Sequence, residues 1–140
     1  MKNLPAFLCA ITLCLPLAAA AQGMQPGEWE LNSTISSPML PKPQSAKVTQ
    51  CFSKEDAADP TRLASGPSTQ GCTVTPGART SNSYDWAIAC PAQGASGTGS
   101  VRYSANTMDA EIRMSIDMQG KKADMVTKVA GRYLGPCKTK

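Results

Sequence analysis

The chain has 140 residues, 14 basic and 10 acidic side chains, a net charge of +4, no histidine and only 5% aromatic residues. The positive balance is small and spread along the chain, which excludes the basic stripe that nucleic-acid binding requires. The lack of histidine excludes Ser-His-Asp and Cys-His nucleophilic arrangements.

Residues 1–21 read as a secretory signal peptide. Lys2 precedes an apolar run from Leu4, and Ala19-Ala20-Ala21 supplies the small residues for cleavage before Gln22. Pro5 and Pro16 make the run a poor spanning helix, and Leu8 and Leu13 stand where a lipoprotein signal needs a small residue before Cys9 or Cys14. Cleavage removes Lys2 and so lowers the net charge by one, to +3. It leaves residues 22–140 as one β-rich, disulfide-stabilised domain, exported and periplasmic. Cys51, Cys72, Cys90 and Cys137 remain, and an even number in a small exported domain reads as two disulfides.

Trp29, Leu31 and Ile35 share one face of a first strand over residues 28–36. The prolines at 38, 41 and 43 predict an exposed connection, and residues 45–52 a second strand that delivers Cys51 at its end. Ser53 to Asp59 predicts one short helix, with Ser53 as N-cap, acidic residues in the first turn and Pro60 closing it. Capping accounts for these carboxylates better than acid–base chemistry does. Thr61 to Gly71 reads as a loop.

In the next hairpin, setting Cys72 against Cys90 places Val74 opposite Ile88, Pro76 opposite Trp86 and Ala78 opposite Tyr84. The turn is then Thr80-Ser81-Asn82, with Asn82 suited to a left-handed conformation. A Cys72–Cys90 bridge follows from this register, and Cys51–Cys137 by elimination.

After a loop over residues 91–96 come two back-to-back hairpins, Gly97 to Leu134. From Met108 to Met118 the even positions are apolar and the odd ones polar, the pattern of a half-buried antiparallel strand. A turn at Ala105-Asn106 sets Tyr103 opposite Met108, Val101 opposite Ala110 and Gly99 opposite Ile112, with Arg102 against Asp109 outside. A type II′ turn at Gly120-Lys121 sets Ile116 opposite Met125, Met114 opposite Thr127, Ile112 opposite Val129, Ala110 opposite Gly131 and Met108 opposite Tyr133. That register conflicts with charge on the outer face, where it sets Asp117 against Asp124 and Arg113 against Lys128.

The sequence thus predicts an all-β fold: an antiparallel meander of about seven strands forming a curved sheet or small barrel, with one short helix after the second strand. Its landmarks are Gln25-Pro26-Gly27-Glu28-Trp29-Glu30, the run from Cys51 to Pro60, Gly71-Cys72, the Trp86 strand ending at Cys90-Pro91, and the Met-rich stretch from Met114 to Gly120. In these the chain resembles the exported bacterial family DUF3617, from about Gln25 to Cys137. The resemblance implies an exported β-rich domain with a cysteine framework and carries no assigned activity or catalytic residues. The Pro-rich connection over 38–43 departs from the pattern.

The residues contain no nucleophile elbow, phosphate-cradling loop or zinc-protease motif, so a non-enzymatic protein without a cofactor is expected. The candidate ligand face is Val101, Tyr103, Met108, Ala110, Met114, Met125, Gly131 and Tyr133, where a small row of Val101, Ala110 and Gly131 leaves room for an apolar small molecule. Close packing of another strand or the short helix against that row is the competing explanation. Two alternatives are a protein-interaction module of the cell envelope, through a sheet edge or the 38–43 segment, and copper(I) binding by Met108, Met114, Met118 and Met125.

Overall fold

A computed structural model describes residues 23–59, 62 and 69–138. The expected signal peptide, Pro60, Thr61 and most of the loop before Gly71 lie outside the described residues. The strands are β1 (Gly27–Ser36), β2 (Gln44–Phe52), β3 (Thr73–Arg79), β4 (Ser83–Cys90), β5 (Ala95–Tyr103), β6 (Thr107–Met118) and β7 (Lys121–Gly135). A short helix, α1 (Lys54–Ala58), follows β2, and a 3₁₀ turn at Pro91–Gln93 links β4 to β5. All pairings are antiparallel, in one seven-stranded sheet of order β2-β1-β7-β6-β5-β4-β3. The meander expected from sequence is therefore the fold, and the sheet curves without closing. Because β1 pairs with β7, the open seam falls between β2 and β3, which are consecutive in the chain.

Helix α1 starts as the sequence predicts. Ser53 Oγ accepts from the Asp56 N–H at 3.1 Å while Asp56 Oδ2 accepts from the Ser53 N–H at 3.1 Å, a reciprocal capping box. Arg79 at the end of β3 donates to the Ala58 carbonyl at 3.4 Å, so the helix reaches from the end of β2 towards the other edge of the seam.

Both expected disulfides form. Cys72–Cys90 joins β3 to β4 with a Cα separation of 4.2 Å, and Cys51–Cys137 ties the end of β2 to the segment after β7 with 5.5 Å. Val74 faces Ile88 and Pro76 faces Trp86, but a bulge after Pro76 brings Arg79, not Ala78, opposite Tyr84. The bulge takes up the turn's geometry. Asn82 has no positive φ, and Thr80 closes the turn by donating its N–H to the Ser83 carbonyl at 2.9 Å.

The β5–β6 register is as read from sequence, from Tyr103↔Met108 to Gly99↔Ile112. The β6–β7 register differs by two residues. The turn is Gln119-Gly120, not Gly120-Lys121, with φ of 58° and 85°, both positive as in a type I′ hairpin. Met114 now faces Met125, Ile112 faces Thr127, Ala110 faces Val129 and Met108 faces Gly131. A two-residue shift leaves every side chain on its original face and removes the charge conflict. Asp117 lies opposite Lys122 and Glu111 opposite Lys128, with Lys128 Nζ 3.7 Å from Glu111 Oε2. Asp117 also accepts the Gly120 N–H at 2.7 Å, which favours this turn. Asp124 faces Ser115, so Asp117 and Asp124 do not form a facing pair.

Two measurements check this description. Replacing Gln119 by Gly, which occupies positive φ without steric cost, should raise stability by about 0.5–1 kcal/mol in urea denaturation, whereas a type II′ turn at Gly120-Lys121 predicts no gain. Removing the bridge that spans 86 residues should cost about 4–5 kcal/mol and the bridge that spans 18 about 3 kcal/mol, as read from paired Cys→Ala variants.

Candidate functional site

The inner face of the sheet is packed at one end and hollow at the other. At the packed end, Trp29 is fully buried, meets Phe52 and Tyr133 edge-on with ring centroids 6.5 and 5.7 Å apart, and donates its indole N–H to the Gln25 carbonyl at 2.9 Å. Met24, Tyr84, Trp86, Val101, Tyr103 and Met108 complete this cluster. Further along the same face, Ile35, Ile112, Met114, Ile116, Met125 and Thr127 are only half-buried. They border a cavity of about 900 Å³ whose walls also include Leu31, Trp86, Val101, Ala110 and Val129. That volume lies in the upper part of the range of small-molecule sites.

At Gly97 and Gly99, β5 lets neighbouring side chains come down onto its backbone. Gly99 lies opposite Trp86, and a Cβ there would collide with the indole ring. Trp86 therefore lies over the bare backbone of β5, stacked on Tyr84 at 5.6 Å.

On the seam side, Asp56 of α1, Arg62 and Thr69 line the cavity, joined by Gln50 of β2 and Gln93 of the 3₁₀ turn. Asp56 and Arg62 pair at 3.0 Å. The hydrogen bond from the Ser53 side chain, then that from its backbone N–H, with the Arg62 charge adding, outweigh the effect of burial and hold the Asp56 carboxyl below its ordinary value.

Of the sequence-predicted face, Val101, Met108, Ala110, Met114 and Met125 line the cavity. Tyr103 and Tyr133 instead belong to the packed end, and Gly131 lies buried under Leu31 and Met108. The small row is corrected accordingly: the register places Val129, not Gly131, beside Ala110, with Val101 on the other side. The four methionines do not converge. Met108 and Met118 stand at opposite ends of β6, roughly 33 Å apart at the rise of an extended strand. Only Met114 and Met125 face each other, so the four-thioether copper(I) set does not assemble.

Sequence reasoning did not place Leu31, Ile35, Trp86, Gln50, Asp56 or Arg62 at this site. The period-2 patterns of β1 and β4 marked Leu31, Ile35 and Trp86 as inward-facing, but nothing local showed that β1 joins β7. A second, shallower hollow of about 340 Å³ lies on the outer face among Thr75, Asp85, Thr98, Ser100, Glu111 and Arg113. There Glu111 is already paired with Arg113 and Lys128.

The pH dependence of the seam follows from the depressed Asp56 carboxyl. Its contribution to stability is complete above the unfolded value of about 3.9 and is lost as pH falls through the lower native value. Protection of the Asp56 and Ala57 amides from exchange, relative to their intrinsic rates, should therefore fall below about pH 4 in the native protein and change less in Asp56→Asn. Equal loss of protection in both proteins would remove this assignment.

A family model, DUF3617, described as a protein of unknown function, matches residues 24–137. The chain belongs to that family. No curated protein and no solved structure matches it.

Proposed function

We propose that this DUF3617 domain is an exported, non-enzymatic binding protein that holds an apolar small molecule against the inner face of its sheet. The observation that carries this reading is the hollow at the wide end. Aliphatic and methionine side chains there stay half-buried around about 900 Å³, although the same face is densely packed a few residues away. An apolar wall in contact with water is costly, and covering it with ligand gains about 25 cal/mol per Å² of apolar surface removed from water. Methionine adds a polarizable wall that adapts to varied shapes. The two disulfides suit an oxidising compartment outside the cytoplasm, and among the described residues no helix is long and apolar enough to cross a membrane.

A second reading has its own observation. β2 is an edge strand whose residues from Gln44 to Cys51 are all exposed, with Val48 at 53%, and an extended segment of another envelope protein could add to it.

The test is organic extraction of the purified protein followed by mass spectrometry, with titration of an environment-sensitive apolar dye. Ligand entry should change Trp86 fluorescence, and the change should disappear in Trp86→Phe. Filling the cavity in Ala110→Phe should weaken dye binding by at least about tenfold with the far-ultraviolet spectrum unchanged. A clean extract together with no dye binding would overturn the reading.

A further inference from the structure

Charge and hydrogen bonding around the cavity narrow the chemistry of its occupant. Among the described residues that line it, the charged ones are Asp56 and Arg62, and they neutralise each other at 3.0 Å. Asp56 is further engaged by the Ser53 N–H at 3.1 Å and hydroxyl at 2.8 Å, so it does not turn away to leave Arg62 for an anion. An anionic ligand would have to displace a carboxylate that also caps α1. A cationic ligand would have to displace Arg62. Either leaves one of the two charges without its partner beside an apolar wall.

Neutral polar groups are available instead. Gln50 on β2, Gln93 on the 3₁₀ turn and Thr127 on β7 line the same cavity. Among the described residues their side chains take part in no hydrogen bond. Two amides and a hydroxyl supply both donors and acceptors without charge, which suits an alcohol, ester or amide group.

On these grounds, and resting on the apolar-binding reading above, we infer that the cavity selects an uncharged amphiphile: an aliphatic chain along the Ile and Met wall, ending in a neutral hydrogen-bonding group towards one of the neutral polar side chains that line it, Gln50, Gln93 or Thr127. A fatty-acid anion and an alkylammonium ion of the same chain are disfavoured.

The test compares dodecanol, monododecanoylglycerol, dodecanoate and dodecylammonium at neutral pH, below their micelle concentrations, with the disulfide-bonded protein and Trp86 fluorescence as the readout. The two neutral probes should bind at least about tenfold more tightly than either ion. Asp56→Asn leaves Arg62 uncompensated and should bring dodecanoate to the affinity of the neutral probes or beyond. The double variant Asp56→Asn/Arg62→Gln should lose that gain, which separates a charge effect from a loosened helix. If dodecanoate binds the unaltered protein as tightly as dodecanol, or gains nothing in Asp56→Asn, this inference is overturned while the cavity reading stands. If none of the four binds, the cavity reading falls with it.

Discussion

A single sheet with one apolar face has to cover that face with itself. No second sheet lies on the inner side among the described residues, and α1 is one short helix at the seam. Curvature is the remaining device, and here it works unevenly. Where large aromatic residues of β1, β2, β4 and β5 lean inward, the curve is filled by Trp29, Phe52, Tyr84 and Tyr103. Further along the face, where Ile112, Met114, Ile116 and Met125 stay half-buried, it is not. The cavity is the part of the curve that these side chains leave unfilled.

The ladder between β1 and β7 makes this possible. It attaches the amino-terminal hairpin to the far side of the meander, from Glu28↔Gly135 to Ser36↔Val126, and so brings Leu31 and Ile35 round to face the other strands. On the outer surface Glu30 joins Arg132 of β7 at 3.1 Å and Lys47 of β2 at 3.5 Å. Exposed pairs of this kind contribute at most about 1 kcal/mol each. The alignment is held chiefly by backbone pairing, the buried Trp29 cluster and the Cys51–Cys137 bridge, which fastens β2 to the chain beyond β7 across the end of β1.

Alternation and turn chemistry made the strands, the α1 cap and both disulfide pairings legible. They also placed Val101, Ala110, Met114 and Met125 on the right face. The β6–β7 register was less legible for a definite reason: registers two residues apart bury the same side chains, so hydrophobic pattern cannot choose between them. The glycine-first rule pointed to Gly120-Lys121, while the like charges at Asp117/Asp124 and Arg113/Lys128 pointed away from it. The structure sides with the charges and accepts a left-handed Gln119. Depth was not legible at all. How far a sheet curls depends on contacts such as Trp86 on Gly99, made between strands and not within them. The seam residues Asp56 and Arg62 reach the site only through the pairing of distant strands.

The central claim is that the inner face is packed around Trp29 and hollow around Ile112, Met114 and Met125. Xenon occupies apolar cavities without needing any specific chemistry, so crystals of the disulfide-bonded protein pressurised with xenon test it directly. The account predicts ordered xenon between Ile112, Met114 and Met125 and none beside Trp29. Protein density filling the wide end, with no xenon there, would contradict it.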